Sequence, residues 1–580
     1  MLKEAIYHRP KNEYAYAADD QTLHIRIRTK KDELDHIILI FGDPYDFNPD
    51  EQCWISSEKE MKHNGSDELY DYWIARVQPK HRRMRYGFKL SSKEETLFYT
   101  EKGFYTKAPK DASYYFCFPF LNRVDVFSPP NWVKDTVWYQ IFPERFANGD
   151  PSLNPKDTLE WGSANPTPSN FFGGDFQGVI DHLDYLHDLG ITGIYFTPIF
   201  KAFSNHKYDT IDYLEIDPQF GDKETFKKLV QECHKRGIYV MLDAVFNHSG
   251  FYFPPFQDVL KNGESSPYKD WFHIHDFPVQ TTSPANYDTF SYVPSMPKLN
   301  TENDEVKDYL LKVARYWIEE FDIDGWRLDV ANEVDHSFWH EFRKEVHSIK
   351  RDVYILGEIW HDSMPWLQGD QFDAVMNYRF TSAIIDYFAH QRITSEELIH
   401  SIQSVRNSYP ITVNEVQFNL LGSHDTPRIL TVSKGNKDIV KLQMLLLFSM
   451  TGTPCIYYGD EIAMTGEQDP GCRKCMEWDE KKQDQDMLAF MKQLISLRAK
   501  YKAFRTDQDL HFYYEPAKSD VIMYKKQQIL FLLNRNDTSV EVALPVEFNG
   551  QQRTNLWTNE TVSLSKSVTL EPYSFSIYHL

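Results

Sequence analysis

The sequence predicts an α/β fold, namely a (β/α)8 TIM barrel with a small lobe inserted after strand 3, flanked by an N-terminal β-sandwich and a C-terminal antiparallel β-domain. Three observations support this prediction. The chain has 580 residues, too many for one ordinary domain. Short apolar strands alternate with amphipathic helices over residues 126–505, as in parallel sheets with helical crossovers. Residues 1–125 and 506–580 read mainly as short strands.

Residues 1–125 are predicted to form the β-sandwich. Four segments there alternate or run apolar and are bounded by turn residues, which is typical of sandwich strands. They are LHIRIRT (23–29), HIILIFG (36–42), YDYWIARVQP (70–79) and RMRYGFKL (83–90).

The barrel prediction depends on eight candidate strands in residues 126–505. They are 137–144, 191–198, 238–248, 324–331, 354–360, 373–378, 416–425 and 454–461. Helical patterns between them include 223–237, 304–321 and 336–350. Eight strands with helical crossovers close most simply into a barrel.

Two further segments complete the predicted architecture. Residues 247–303, rich in Phe, Tyr, Pro and His, follow the third strand and are predicted to form a lobe over the active face. Residues 506–580 return to short strands, which predicts the C-terminal β-domain. Its strand candidates are VIMYKK, QILFLLNR, SVEVALP and FSIYHL.

Composition narrows the possible partners. A formal net charge of −22 argues against nucleic acid or an anionic membrane as a partner. No apolar run approaches the ~18 residues that span a bilayer, and MLKEAIYHRP has no secretory apolar segment, so we expect a cytoplasmic protein. The six cysteines are sparse, and the single CxxC of Cys472 and Cys475 lacks the second pair that a zinc site needs.

Polar residues cluster where four predicted strands end. Arg327 and Asp329 share one face of their strand because side chains i and i+2 point the same way. Taken alone, they could be a structural ion pair. The other three ends carry further clusters: Asp243, Asn247 and His248; Glu358 and His361; His424 and Asp425. In a barrel all four would meet at the carboxyl-terminal rim, where active sites are built.

The carboxylates Asp329, Glu358 and Asp425 predict glycosyl chemistry. Retaining glycosidases hold two carboxyl groups ~5 Å apart, one as the nucleophile and one as the general acid/base. Burial and nearby negative charge would raise the pKa of the acid. We expect the guanidinium of Arg327 to keep Asp329 ionised and oriented.

Four segments resemble the signature stretches of the α-amylase family of glycoside hydrolases (family 13), in order: DAVFNH (243–248), GWRLDVANE (325–333), GEIWH (357–361) and SHD (423–425). The resemblance implies that Asp329 is the nucleophile, Glu358 the general acid/base and Asp425 the stabiliser of the distorted sugar. It also implies that Arg327, His248 and His424 orient groups around subsite −1, where Tyr208 of NHKYDT stacks.

Further stretches resemble the neopullulanase, maltogenic amylase and cyclomaltodextrinase group, and CRKCMEWDE (472–480) looks closest to neopullulanase. These stretches are MPKLN (296–300) and VANE (330–333). The resemblance implies that Glu333 and Trp360 shape the acceptor side, and that Asp469 and Arg473 contact the donor sugar. It also implies a homodimer in which the N-terminal domain, similar to a starch-binding module, covers the neighbouring active site. Tyr45 would then reach that site, or it is an ordinary sandwich tyrosine.

The group also resembles calcium binders at FANGDPSLNP (146–155) and FFGGD (171–175). The implied ligands of a structural Ca²⁺ are Asn148, Asp150, Asn154, the carbonyl group of Gly173, and Asp175. These supply the oxygen atoms that calcium prefers. Leu153 stands where the pattern usually has an oxygen donor, so the site is expected to be weaker or completed by water.

The resemblance implies retaining hydrolysis of α-1,4-glucosidic bonds in cyclomaltodextrins, pullulan (to panose), starch and maltooligosaccharides, with transglycosylation as a side activity. Alternatives are an oligo-1,6-glucosidase or a glucanotransferase, against which MPKLN and VANE count. A non-catalytic sugar-binding protein of the same fold would be expected to lack a catalytic carboxylate, whereas Asp329, Glu358 and Asp425 are all present.

Overall fold

The computed structural model describes residues 1–506, 508–514 and 520–580, so residues 507 and 515–519 of the predicted C-terminal domain lie outside it. Eight parallel strands form the predicted barrel, and each overlaps its predicted segment. Their order around the barrel is β6-β5-β4-β3-β2-β1-β8-β7, and a parallel bridge from Met376 to Phe418 joins the two ends. In chain order they are β1 (Trp138–Ile141), β2 (Gly193–Phe196), β3 (Tyr239–Ala244), β4 (Gly325–Leu328), β5 (Tyr354–Gly357), β6 (Ala374–Val375), β7 (Phe418–Leu420) and β8 (Thr453–Tyr457).

Helices connect most of these strands. The longer ones are Leu183–Leu189, Lys223–Lys235, Asp304–Phe321, His336–Ile349, Tyr378–Phe388, Ser395–Asn407, Lys437–Ser449 and Gln485–Lys500. The expected helical crossover between β5 and β6 is wrong. Residues 358–373 are all described, and their regular structure is one 3-10 turn at Met364–Trp366, because Pro365 and the left-handed Gly369 (φ 96°) interrupt a longer helix.

The side chains of β4 alternate in direction, and this alternation places a charged residue inside the barrel. Trp326 and Leu328 are fully buried in the core between the strands and the outer helices. Arg327 lies between them in sequence and therefore points into the barrel. Large side chains such as Trp138, Met241 and Tyr354 fill the interior near the strands' amino ends. The carboxyl ends therefore remain available for a site.

The lobe is inserted between β3 and Asp304–Phe321, as predicted. It contains the helix Pro254–Asn262, two 3-10 turns and short bridges, including one from His248 to Lys298. This bridge ties the far end of the lobe to the residues that follow β3. The lobe is thus anchored beside the barrel's carboxyl-terminal rim.

Two β-domains flank the barrel, as predicted. The N-terminal sandwich packs a core that includes Ile25, Leu39 and Phe88 between two sheets. One sheet comprises Ala15–Ala17, Leu23–Lys30, Lys62–Ser66 and Tyr70–Val77; the other comprises His36–Gly42, Ser57–Glu60, Met84–Ser91, Thr96–Thr100, Gly103–Tyr105 and Phe116–Phe118. The C-terminal antiparallel sheet comprises His511–Tyr513, Val521–Lys526, Ile529–Asn534, Gln552–Asn555, Thr561–Ser563 and Phe575–His579, beside the pair Val540–Ala543 and Ser567–Leu570.

Buried polar contacts fix the sandwich to the barrel. Arg26 donates to the carbonyl oxygen of Tyr409 over 2.7 Å, and Asn64 donates to Asn407 over the same distance. Among the described residues, we find no helix with the length and apolar character needed to cross a membrane.

Candidate active site

A cavity of about 530 Å³ opens at the carboxyl-terminal end of the barrel. It brings together residues from the segments that follow β2, β3, β4, β5, β7 and β8, including the lobe after β3. Its lining consists of His206, Tyr208, His248, Phe290, Met296, Asp329, Val330, Asn332, Glu358, Trp360, Asp425, Gln468, Asp469 and Arg473. A larger groove of about 900 Å³ lies between the barrel and the C-terminal domain. Volume alone therefore does not mark the site, whereas the catalytic carboxylates predicted from sequence do.

Arg327 is the centre of the carboxylate cluster and is completely buried. Its Nη1 lies 3.0 Å from both oxygens of Asp243 and 2.7 Å from Oδ1 of Asp329. Its Nη2 lies 2.9 Å from Oε2 of Glu358. One guanidinium thus fixes the predicted nucleophile and the predicted acid relative to each other, together with a third carboxylate.

Sharing one cation among three carboxylates sets the charge of the site. Burial raises the pKa of Asp243 to about 6, against the lowering effect of Arg327. Burial also raises the pKa of Asp329, which Arg327 again opposes and Glu358 reinforces. Arg327 does contact Asp329 as expected, but it is not dedicated to Asp329. Asp243 and Asp329 therefore take up a proton more readily than isolated carboxylates do.

A hydrogen-bonded chain supports the cluster from β1 and β2. Tyr195 and Tyr208 donate to Oδ2 of Asp243 over 2.5 and 2.9 Å. The hydroxyl of Tyr208 also lies 2.7 Å from Nε2 of His424, and Gln140 lies 2.8 Å from Nδ1 of the same ring. The sequence analysis named Asp243 but missed Tyr195 and Gln140. An apolar strand pattern does not show which of its polar side chains point into the barrel and form hydrogen bonds there.

His248 and His424 are held neutral. Burial lowers the pKa of His248 to about 3 and the pKa of His424 well below its usual range. Asn247 lies 3.3 Å from Nδ1 of His248, while the buried Nε2 has no hydrogen-bond partner among the described residues. A neutral imidazole with Nε2 unpaired and lining the cavity suits a hydrogen bond to a sugar hydroxyl. His206, which sequence reasoning did not single out, also lines the cavity.

Glu358 is nearly buried and is held at both oxygens. The backbone N–H of Val330 donates to Oε2 over 3.0 Å, and the indole N–H of Trp360 donates to Oε1 over 3.3 Å. Trp360 stacks on Tyr378 with ring centres 3.5 Å apart and planes within 5°. Its indole is nevertheless 50% exposed, which leaves one face open to the cavity.

Arg473 organises the opposite wall. It pairs with Asp469 over 2.9 Å, approaches Asp425 at 3.4 Å, and donates to the carbonyl oxygen of His424 over 2.8 Å. Burial raises the pKa of Asp425, which Arg473 and then Arg327 lower. The structure therefore groups Asp425, Asp469 and Arg473 on one wall of the cavity.

Several residues named from the sequence do not line the cavity. Four of them are buried: Asp243, Asn247, Arg327 and His424. Glu333 lies beside it, where its carbonyl oxygen accepts from Lys298 over 3.0 Å. His361 is exposed and contacts the carbonyl oxygen of Asp362. Tyr45, in the sandwich, is 77% exposed and lies over Arg83 at 4.6 Å.

The predicted calcium ligands lie together beside the barrel. Oδ1 of Asn148 is buried without a hydrogen-bond partner among the described residues, while its amide nitrogen lies 3.0 Å from Oδ1 of Asn154. A Cβ at Gly173 would lie 2.2 Å from that same Asn154 oxygen, so only glycine allows this approach. The carboxylate of Asp175 accepts from three backbone N–H groups, at Gly149, Asp150 and Gly178.

These residues fit a calcium ion because their donor atoms are oxygens. In addition, the buried Oδ1 of Asn148 has no hydrogen-bond partner among the described residues. The set supplies two carboxylates, Asp150 and Asp175, and the side chain of Leu153 adds no oxygen. No group of three His, Cys, Asp or Glu side chains that could hold a metal is found in the described part of the chain.

Comparisons with known proteins agree with this geometry. Family models match in three parts: the α-amylase catalytic domain at residues 140–509, the α-amylase N-terminal Ig-like domain at 1–122, and the maltogenic amylase C-terminal domain at 521–577. A cyclomaltodextrinase from Geobacillus thermopakistaniensis (strain MAS1) is 58% identical, covering 100% of this chain and 99% of the relative. An intracellular maltogenic amylase from Bacillus subtilis (strain 168) is 49% identical, covering 100% and 99%.

A solved structure described as a cyclomaltodextrinase superposes with a TM-score of 0.95 at 51% identity, covering all of both chains. Family models span most of the chain, and relatives are this similar over its full length. The chain is therefore a glycoside hydrolase that belongs to the α-amylase family, in the group of cyclomaltodextrinases and maltogenic amylases.

Proposed function

We propose that this enzyme hydrolyses α-1,4-glucosidic bonds in cyclomaltodextrins, pullulan, starch and maltooligosaccharides with retention at the anomeric carbon, and transfers sugar to acceptors as a side reaction. The observation that carries the proposal is that Asp329 and Glu358, which line the cavity, pair with the one buried guanidinium of Arg327. Two carboxylates held by one guanidinium suit the ~5 Å separation of retaining enzymes better than the wider spacing of inverting ones. The names of the similar proteins support the substrate class.

The first chemical step forms a covalent intermediate. A carboxylate oxygen of Asp329 bonds to the anomeric carbon as the bond to the glycosidic oxygen breaks, and Glu358 gives its proton to that leaving oxygen. The ring passes through an oxocarbenium-like state. Asp425 and the neutral imidazole of His248 line the cavity and are placed to bind the hydroxyls of the distorted sugar, while His424 holds the hydroxyl of Tyr208.

The second step returns Asp329 to its free form. Glu358, now a carboxylate, removes a proton from water, whose oxygen attacks the anomeric carbon and releases Asp329. A sugar hydroxyl can take the place of water, which gives transfer. The exposed indole of Trp360, held by Tyr378, offers an apolar face on which such an acceptor can stack.

The calcium proposal concerns stability. Asn148, Asp150, Asn154, Gly173 and Asp175 would hold a Ca²⁺ that ties together the loops after β1. The retaining mechanism uses carboxyl groups alone, so the ion would be structural. The orphaned oxygen of Asn148 is the supporting observation.

The assembly proposal is a homodimer acting inside the cell, with the N-terminal domain of each subunit covering the neighbour's cavity. Tyr45, Phe47 and Ile55 support it, because all three are more than half exposed and lie around one hairpin of the sandwich. The name of the Bacillus subtilis relative supports the location. Light scattering of the wild type and of Phe47→Ser tests the dimer, which this substitution should weaken.

Product analysis tests the function itself. Wild type and Asp329→Asn would be incubated with β-cyclodextrin, pullulan and soluble starch, and the anomer formed first would be read by NMR. Maltose from cyclodextrin and panose from pullulan, released as α-anomers and absent in the variant, are the expected outcome. Folded enzyme that leaves all three substrates intact, or releases β-anomers, would contradict the proposal.

A further inference from the structure

Val330, the residue after Asp329, has an unusual backbone. Its φ of 46° and ψ of 43° lie in the left-handed region. Among the described residues it is the only β-branched one with a positive φ. Such a conformation is unfavourable for a β-branched residue, persists only where its surroundings impose it, and is found most often at functional sites.

Contacts of the residues on both sides of Val330 impose this conformation. Asp329 continues the ladder, since its N–H donates to the carbonyl oxygen of Ala244 on β3 over 3.1 Å. The chain then turns into the 3-10 segment Ala331–Glu333, whose Ala331 carbonyl oxygen accepts from the indole of Trp339 over 2.9 Å. Val330 is therefore the point at which the strand turns away from the barrel wall.

The turn leaves the N–H of Val330 directed at Glu358 on the β5 side. It donates to Oε2 over 3.0 Å, and Nη2 of Arg327 lies 2.9 Å from the same oxygen. An oxygen that faces one N–H and one guanidinium behaves as the anionic oxygen of the carboxyl group. Oε1 has the weaker contact with Trp360, at 3.3 Å, and is the oxygen on which a proton costs least.

We propose that Val330 is a positioning residue for the general acid: its left-handed backbone aims an N–H at Oε2 of Glu358 and thereby assigns the transferable proton to Oε1. This inference rests on the proposed function, in which Glu358 protonates the leaving oxygen. The side chain of Val330 lines the cavity, but the positioning is done by its main chain.

A backbone substitution tests the donor directly. Val330 is replaced by 2-hydroxy-3-methylbutanoic acid, which exchanges the N–H for an ester oxygen and keeps the side chain. The matched control places lactic acid at Ala331, which leaves the N–H of Val330 intact. Two substrates are compared by kcat/KM: maltotriose, whose leaving group needs a proton, and α-maltosyl fluoride, whose leaving group does not.

The ester at residue 330 is expected to lower kcat/KM for maltotriose by about tenfold or more and to change the value for the fluoride by less than about twofold. The Ala331 control should match wild type on both substrates.

Val330→Gly provides a second variant, because glycine adopts the same backbone without strain yet does not enforce it. It should show the same selective loss on maltotriose in smaller measure. Equal losses on both substrates in the ester would overturn the inference. If the ester does not fold, equal losses in the glycine variant would overturn it. Failure of the proposed function would look different, since wild type would then act on neither substrate.

Discussion

Nη1 of Arg327 lies 2.7 Å from Oδ1 of Asp329, two residues further along the chain. The same guanidinium contacts Asp243 and Glu358, so it determines the relative positions of three carboxylates. The ion pair of Arg327 and Asp329 is therefore part of an arrangement of three carboxylates around one guanidinium. The planar donor geometry of the guanidinium matters more than its charge alone.

Arg327→Lys tests that geometry. A lysine ammonium is a compact point charge that cannot reach three carboxylates from one fixed plane, so kcat/KM on maltotriose should fall by about 10²–10³-fold. Arg236→Lys serves as the control, since that arginine pairs with Asp184 and Glu232 on two outer helices and its replacement should leave activity unchanged. Near-wild-type activity of a folded Arg327→Lys enzyme would contradict the role assigned to the guanidinium.

His8 should make the enzyme less stable in acid. It is buried in the sandwich, with Nδ1 2.7 Å from the carbonyl oxygen of Arg26 and Nε2 2.9 Å from the hydroxyl of Tyr86. Burial lowers its pKa from 6.5 to about 3. Between these values the unfolded chain binds more protons than the folded one, so stability present above pH 6.5 is lost as the pH falls towards 3, by up to about 1.4 kcal/mol per unit.

The non-titrating variant His8→Gln isolates this effect. It should unfold at a lower temperature than wild type at pH 7, because the histidine's packing is lost. The gap between the two midpoints, followed by calorimetry from pH 7 to pH 4, should narrow as wild type loses its histidine contribution. A gap that stays constant would show that His8 does not titrate during unfolding.

The eight strands and the carboxylate cluster could be predicted because both depend on local patterns. Apolar runs reveal strands, and polar residues at their ends reveal the rim. The predicted segments exceed the strands, as with predicted residues 416–425 against Phe418–Leu420, because the ladder ends before the buried polar residues Ser423 and His424 of the rim. Tyr195 and Gln140 approach Asp243 and His424 only when the barrel closes, so no local pattern shows the contact. The backbone conformation of Val330 is likewise set by tertiary structure, against its residue type.

Calcium should raise the unfolding temperature if the proposed ligands bind it. A ligand at a hundred times its Kd stabilises the folded state by about 2.7 kcal/mol, and chelation should remove this gain. Leu153→Asn adds an oxygen at the position where the chain lacks one, so it should enlarge the calcium-dependent shift. Asp150→Ala removes a carboxylate and should reduce the shift. Calorimetry with calcium and with EGTA measures all three proteins, and equal midpoints in both buffers throughout would exclude the site.

Trp360 should govern transfer more than hydrolysis. Its exposed indole face rests on Tyr378 at the cavity, and Trp360→Ala removes the surface on which an acceptor sugar can stack. Because an aromatic stacking contact contributes about 0.5–1.5 kcal/mol, the acceptor concentration that gives half-maximal transfer should rise by about 3–10-fold. Hydrolysis needs only water in that position and should fall less. Trp557→Ala is the matched control, because that indole packs on Phe490 of the barrel helix Gln485–Lys500 and on Phe575 of the C-terminal domain, away from the cavity. The ratio of transfer to hydrolysis products from maltotriose, measured with glucose as the acceptor, should therefore drop in Trp360→Ala and stay at the wild-type value in Trp557→Ala. If both variants keep the wild-type ratio, acceptors do not bind on Trp360.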